Sequence, residues 1–203
     1  MNPLSILGTG GFTLSLVDND MLLTYLNAPK DGAWLERKTG IKFHSLNFDC
    51  KTGKKILDDD GLDYATTAAF QALERAKTKP EEIDQICYAT CTPRYLHFMA
   101  DTIELHRILG LRPTAIIDQI DGGCAALAKA FQIAKLYANG KNPEWKALIV
   151  GSNDVSSMLD KTRYESVDYA WQSPAIFGDG AAAIVLGPGE KKPWLQNTYC
   201  AVN

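Results

Sequence analysis

The segment AIIDQIDGGCAALAKAFQIAKLYA, from Ala115 to Ala138, decides how the rest of the chain is read. The apolar run Ala115 to Ile117 predicts a strand, Gly122-Gly123 a tight turn, and the residues from Cys124 onward a helix. In that helix Lys129, Gln132 and Lys135 form one narrow polar stripe, and nearly everything else is Ala, Leu, Ile, Phe or Tyr. A helix apolar around most of its circumference is predicted to be buried. Cys124 then falls on the first turn of a buried helix. The unpaired N–H groups and dipole of a helix N-terminus favour an anion, which suits a nucleophilic thiolate. The paired glycines allow a sharp turn and a close backbone approach to a substrate. A cysteine in such a place is also often a small buried hydrophobe, and on position alone both readings stand.

Working outward, the same alternation of elements repeats. Downstream, Asn139-Gly140 suits a left-handed helix cap, Ala147 to Val150 an apolar strand, and Ala181 to Leu186 a last strand of small residues after Phe177-Gly178-Asp179-Gly180. Upstream, Phe98 to Leu109 reads as a helix closed by Gly110, Gln85 to Ala89 as a strand broken at Thr90-Cys91-Thr92-Pro93, and Leu62 to Ala76 as a helix. A turn at Lys79 to Ile83 separates that helix from the strand that follows it. Residues 28–61 have weak periodicity and read as loop with short elements. Asp18 is a plausible N-cap for a short helix ending near Leu26, and Leu4 to Leu7 is a buried strand running into a turn at Gly8-Thr9-Gly10-Gly11. That glycine cluster is too short and too poorly placed for a dinucleotide-binding fingerprint, and it is read as structural.

Strands alternating with helices, most strands apolar throughout, imply an α/β fold with a mainly parallel sheet covered on both faces. Active sites of such sheets collect at the carboxyl ends of the strands, and Cys124 follows one of them. Topology and helix terminus therefore point to the same residue.

Composition narrows the partners. The chain of 203 residues is 46% hydrophobic and 22% charged, with net charge −3 and no basic block, which argues against nucleic acid or an anionic membrane. No apolar run reaches transmembrane length and the N-terminus lacks a charged, then apolar leader, so a cytoplasmic location is expected. Cys50, Cys87, Cys91, Cys124 and Cys200 form no Cys-x-x-Cys pair and have no histidine at zinc-like spacing, so neither metal nor disulfide framework is expected.

One further stretch carries chemistry. Trp34-Leu35-Glu36-Arg37-Lys38-Thr39-Gly40-Ile41 places an indole before two cations and a glycine, which can clamp an aromatic ring and a phosphate or simply anchor a surface loop.

Several segments, in order and in register, resemble the β-ketoacyl-acyl carrier protein synthase III group of the thiolase superfamily. They are Gly8-Thr9-Gly10, Trp34 to Ile41, Ile83-Asp84 before QICYATCTP, Leu109-Gly110, the Cys124 helix, Val150-Gly151-Ser152 and Phe177-Gly178-Asp179-Gly180-Ala181. The resemblance implies a thiolase-like half: a mixed, mostly parallel five-stranded sheet with helices on both faces and a buried cysteine-bearing helix. It implies one such domain over residues 1–190, with residues 191–203 starting a linker to a second half. It also implies that Cys124 takes an acyl group from a thioester of coenzyme A or acyl carrier protein, with no cofactor, and that its backbone N–H supplies part of an oxyanion hole. Trp34 would then stack on adenine and Lys38, where the family usually has Arg, would meet phosphate beside Arg37. Phe98 would close the acyl tunnel of a neighbouring subunit in a dimer, although it also reads as plain helix packing.

This sequence departs from the family at Ala126, usually Gly, and at Asp121-Gly122-Gly123, where small apolar residues are typical. The stretch from Ser156 to Trp171 diverges, so a family arginine there cannot be placed. Family members are about twice as long, and their second half supplies a His and an Asn that stabilise the carbanion formed on decarboxylation. Here His44, His97 and His106 all precede Cys124, and His97 and His106 read as surface or packing residues. Three functions fit. The first is a condensing enzyme completed by another half. The second is an acyltransferase of the same fold acting on a hydroxyl or amine. The third is a non-catalytic partner subunit of a ketosynthase heteromer.

Overall fold

The structure is a computed structural model that describes residues 4–95, 98–138, 142–159 and 170–189. The chain forms two compact units, the first from residues 1–12, 61–152 and 181–203, the second from residues 13–60 and 153–180. In chain order the elements are β1 (Leu4–Phe12), β2 (Leu16–Asp18), α1 (Asn19–Tyr25), α2 (Gly32–Thr39), β3 (Phe43–Ser45), β4 (Phe48–Asp49) and β5 (Lys54–Lys55). They continue with α3 (Gly61–Ala76), β6 (Gln85–Thr90), α4 (Ala100–Leu109), β7 (Ile116–Ile120), α5 (Ala126–Ala138), β8 (Ala147–Asn153) and β9 (Gly180–Pro188).

The first unit is built on a five-stranded sheet of order β1-β9-β8-β6-β7. β6 runs parallel to both β7 and β8, and β1 runs antiparallel to β9. Side chains alternate across this sheet as the period of a strand requires. Ile86, Tyr88, Leu148, Val150, Ala183 and Val185 face α3 and α4, while Cys87, Ala147, Ile149 and Leu186 face α5. Helices thus cover both faces, as the sequence predicts. The glycines of β1 are in the strand, not in a turn after it. Their reason is α3: a Cβ on Gly10 would lie 1.9 Å from the Ala68 carbonyl oxygen, and one on Gly8 would lie 2.5 Å from that of Ala72. The small-residue face Ala65, Ala68, Ala69, Ala72 is what lets helix and strand backbones approach so closely.

The expectation of a buried cysteine-bearing helix needs correction. α5 buries Ala126, Ala130, Ala134 and Ala138, a stripe at i, i+4 spacing that lies on the sheet. Leu127, Tyr137 and, at 72% exposure, Leu136 stand outside that stripe. Composition made the helix apolar all round, but the described residues cover only its alanine side. The strand before it is also longer than its apolar start suggested, running on through Asp118-Gln119-Ile120. All five residues of β7 are half-exposed, because it is the edge of the sheet.

The second unit packs α1, α2, the antiparallel pair β2–β3 and the small hairpin β4–β5 around Leu22, Leu23, Leu35, Leu46, Phe48 and Trp171. Asp18 caps α1, its carboxylate accepting from Met21 N at 2.8 Å, as predicted. The Trp34 to Ile41 stretch, expected as loop, is helical through Thr39. Asp31 accepts from Trp34 N at 2.7 Å to start α2, and Gly40 ends it in the left-handed conformation, φ +77°. The expected cap at Asn139-Gly140, the linker at 191–203, His97 and Cys200 lie outside the described residues. No helix among the described residues is long and apolar enough to cross a membrane.

Candidate active site

In the first unit, β6 and β7 deliver their carboxyl ends side by side, with Ala89 opposite Ile120 in the parallel register. Past the end of β7 the chain turns at Gly122 and Gly123. Gly123 takes φ +56°, and Ala125 N donates to the Gly122 carbonyl at 3.3 Å. Cys124 sits in this single 3-10 turn, two residues before α5, and its side chain is exposed. Gly122 is constrained from α5: an added Cβ would meet the Ala126 backbone at 3.4 Å and the Lys129 ammonium at 3.5 Å. Cys124 is therefore an accessible thiol on a glycine turn feeding a helix N-terminus. Asp121 is likewise exposed, and it joins neither an ion pair nor a hydrogen bond among the described residues.

The stretch after β6 is fixed by a buried acid. Asp101, in the first turn of α4, accepts from Arg94 N and Tyr95 N, both at 2.8 Å. Thr102 donates from backbone and hydroxyl to Gln119 Oε1 at 3.3 and 3.2 Å, tying α4 to β7. Phe98 precedes this helix and is 92% exposed. Both Phe98 and Met99 are left-handed, φ +55° and +56°, an arrangement that costs a non-glycine residue about 1–2 kcal/mol each. His106, read as a surface or packing residue, is half-buried and faces the Arg112 carbonyl with Nε2 at 3.0 Å.

The second unit holds the other predicted residues, all on α2. Trp34 packs edge-on against Trp171, ring centroids 6.1 Å apart and planes at 62°, and the Lys30 ammonium stands 5.7 Å from its ring centre. Arg37 and Lys38 are exposed in the last turn, at the negative end of the helix dipole. A pocket of about 500 Å³ in this unit, lined by Tyr25, Phe48, Cys50, Lys51, Ser156 and Leu159 among others, includes none of the predicted site residues. Burial, with Asp49 and Asp18 nearby, pushes the Cys50 thiol up, away from reactivity.

Sequence reasoning missed the polar network of this unit. Asp179 is buried and accepts from Asn47 N at 2.6 Å, from Ser156 N at 2.9 Å and from the Ser156 hydroxyl. Its own N–H donates to the Ser45 carbonyl at 2.6 Å, with Gly178 allowing the close approach. The available signal was an acid between two glycines ahead of an apolar strand. The roles of Asn19, the first residue of α1, and of His44 in β3 were missed as well; both are buried polar residues.

Cys124 thus lies on a turn at the carboxyl edge of a mixed five-stranded sheet with helices on both faces, and the class is an α/β fold of thiolase-like type. The 3-oxoacyl-[acyl-carrier-protein] synthase III of Aquifex aeolicus VF5 matches this fold with a TM-score of 0.73 at 25% identity, over 93% of this chain and 55% of that one. The sequence pattern of the family described as 3-Oxoacyl-[acyl-carrier-protein (ACP)] synthase III matches residues 119–201, a stretch that contains Cys124. A β-ketoacyl-[acyl-carrier-protein] synthase III from Helicobacter pylori strain J99 is 32% identical over 155 residues, 76% of this chain and 41% of that protein. The enzyme of the same name from Methylococcus capsulatus strain Bath is 31% identical over 196 residues, 96% of this chain and 54% of that protein. The chain belongs to the β-ketoacyl-acyl carrier protein synthase III family. It spans about half the length of the curated relatives it matches.

Proposed function

We propose that this chain is the cysteine-bearing half of a ketosynthase III-type condensing enzyme. The Cys124 thiol gives up its proton and attacks the carbonyl of an acyl thioester as the thiolate, and the coenzyme A or carrier-protein thiolate that leaves takes up that proton. The acyl-cysteine then reacts with the carbanion left when a malonyl thioester loses carbon dioxide, and the Cys124 thiol is released as the new carbon–carbon bond forms. Splitting the transfer in two in this way is the use of a covalent nucleophile. The backbone N–H of Cys124 faces the charge that develops on the thioester oxygen. The observation that carries the reading is the exposed thiol of Cys124 on a glycine turn, inside the stretch that matches the family.

Trp34 stacks on the adenine of coenzyme A, and Lys38 with Arg37 meets its phosphates. The His and Asn that hold the malonyl group come from a second thiolase-like half, since the histidines of this sequence all precede Cys124. Dimerisation through this half is supported by Phe98, which is exposed on a left-handed backbone, and by the half-exposed edge strand β7. The apolar side of α5 suits burial against the second half.

The test is intact mass spectrometry after incubation with acetyl-coenzyme A. An added acetyl group that disappears in Cys124→Ser is expected. No adduct, even with a His- and Asn-bearing half supplied, removes both enzymatic readings and leaves a non-catalytic subunit. The same fold and thiol also allow a second reading, simple acyl transfer to a hydroxyl or amine. Carbon dioxide release from a malonyl thioester decides between the two.

A further inference from the structure

Two exposed thiols stand past the ends of neighbouring strands, Cys91 after β6 and Cys124 after β7. The parallel register pairs Ala89 with Ile120, and two residues further on it sets Cys91 beside Gly122, at the strand spacing of about 4.8 Å. Cys124 follows Gly122 by two residues, within the single 3-10 turn.

The order of the sheet decides which way that turn carries Cys124. β7 is the edge and β8 lies beyond β6, so α5 crosses β6 on its way from one to the other. Cys87 of β6 accordingly packs with Ala130, Ala134 and Ala138 of α5. The alternation that puts Cys87 on this face returns to it at Ala89 and again at Cys91. The crossing begins at the cysteine turn. A Cβ on Gly151 of β8 would meet the Ala89 carbonyl oxygen at 3.8 Å and Leu127 Cδ1 at 3.9 Å, so the start of α5 overhangs the end of β6. Leu127 is three residues after Cys124 and shares its side of the helix. Cys91 and Cys124 are therefore directed to the same face, above the carboxyl end of β6, while Cys87 lies buried further down it. A disulfide needs Cα atoms roughly 4.4–6.8 Å apart, a gap that the strand spacing and a short glycine turn can close. Gly123 leaves room for that adjustment: it is left-handed, φ +56°, and an added Cβ would meet nothing within 4 Å among the described residues.

We propose that Cys91 and Cys124 are a redox pair that closes to a disulfide when a hydroperoxide reaches them, reversibly removing the Cys124 thiol. That the closed form is a switched-off enzyme rests on the function proposed above; the pairing itself does not. In the first step the Cys124 thiolate attacks one peroxide oxygen and the O–O bond breaks. The departing hydroxide or alkoxide takes up the thiol proton as water or an alcohol, and Cys124 becomes a sulfenic acid. The Cys91 thiolate then attacks the Cys124 sulfur, the S–O bond breaks, and hydroxide leaves as water with the Cys91 proton. Sulfur is oxidised by two electrons and the peroxide is reduced by two. A dithiol reopens the bridge by thiol–disulfide exchange. The second thiol has a protective consequence too. A sulfenic acid with a resolving cysteine beside it is trapped as a disulfide before it goes on to the irreversible sulfinic and sulfonic acids.

The test uses the full 203-residue chain, treated with hydrogen peroxide, alkylated and digested without reductant. Expected is a linked peptide pair holding Cys91 and Cys124, with the mass of the two peptides less two hydrogens. It should be split by dithiothreitol and be absent from Cys91→Ser and Cys124→Ser. In a mixture of nitrogen-15-labelled and unlabelled protein the link should join peptides of one isotope only. Links between isotopes, a bridge from Cys124 to any other cysteine, or Cys124 recovered only as sulfinic or sulfonic acid overturns the pair. The wild-type peptide map carries the test if a variant does not fold. Acetylation by acetyl-coenzyme A is measured in parallel. Wild type should lose it with peroxide and regain it with dithiothreitol. Untreated Cys91→Ser should acetylate as wild type does, and after peroxide its loss should not be recovered. Acetylation that survives in the bridged form overturns the switch. A bridge that forms in protein that takes no acetyl group even before oxidation upholds the pair and removes the acyl-cysteine reading.

Discussion

Cys87 of β6 and Asp118 of β7 stand opposite each other in the parallel register, Sγ 3.9 Å from Oδ2, on the face of the sheet that α5 covers. Burial first, and then the carboxylate beside it, pushes the Cys87 thiol far above its ordinary range. A few residues further along, past the ends of the same two strands, Cys91 and Cys124 are exposed. One pair of strands therefore carries a protected thiol below its edge and accessible thiols at its edge. Iodoacetamide at mildly alkaline pH should modify Cys124 and Cys91 and leave Cys87 untouched until the protein is unfolded. Peptide mass spectrometry reads this directly. Asp118→Asn should not expose Cys87 to the reagent, because burial is the larger cause. Labelling of Cys87 at the rate of Cys124 would contradict the arrangement.

The contact between β1 and α3 has no room for a side chain at Gly10, whose missing Cβ would lie 1.9 Å from the Ala68 carbonyl oxygen. The obstruction is backbone, which cannot rotate away as a flexible side chain can. Gly10→Ala should therefore destabilise by about 3 kcal/mol or more, the upper range for overpacking, seen as a lower urea midpoint. Gly11→Ala is the control. Its Cβ would meet only the Ala181 carbonyl oxygen, at 3.7 Å, so little change is expected.

How much of this was legible beforehand divides along the range of the interactions. α3 was visible because Leu62, Ala65, Ala69, Ala72, Leu73 and Ala76 repeat with the period of a helix, which is a local property. The turn signal at Gly8 to Gly11 misled because those glycines answer to α3, some sixty residues away in sequence, and not to their neighbours. α2 was overlooked because Leu35 is its one buried apolar side chain, which leaves no stripe to count. Its caps, Asp31 and Gly40, were the signals to use. For α5, apolar composition reports what a face needs to be buried against, not whether this chain supplies it. Cys124 was legible because its chemistry depends on a strand end and a helix start, both local. The hydrogen bonds that tie Asn19 and His44 to Gly32, Ile41 and Phe177 were not, because they join separate segments of the chain.

Asp179 makes a prediction about the second unit alone. Its carboxylate accepts from two backbone N–H groups and one hydroxyl, on Asn47 and Ser156. Asp179→Asn keeps the shape but turns an NH₂ toward at least one of those donors. The loss should be about 3 kcal/mol, typical of breaking charge-assisted bonds in a buried site. Hydrogen exchange should show the added openings at Asn47 and Ser156, while β6 and β8 in the first unit keep their protection. Uniform loss of protection in both units would show instead that Asp179 supports the whole chain.

The roles assigned on α2 separate by kinetics. If Trp34 stacks on adenine, Trp34→Ala removes binding that is equal in ground and transition states, so KM for acetyl-coenzyme A in Cys124 acetylation should rise roughly tenfold at an unchanged limiting rate. Trp34→Phe should recover part of this, since a ring remains both for a base and for the edge contact with Trp171. Lys38→Ala and Arg37→Ala should each raise KM several-fold, and the effect should shrink as salt is added, because both cations are exposed in the last turn of α2 and their contacts with phosphate are screened. The two are adjacent in sequence and so point about 100° apart around the helix, which means one phosphate group cannot engage both equally. If Arg37→Ala raises KM and Lys38→Ala does not, the phosphate lies on the Arg37 side of α2, and the cation matched to the family's arginine is not the one this chain uses. If a slower limiting rate appears in either variant, the cations act on the chemical step and not on binding, which a helix that only holds coenzyme A does not allow.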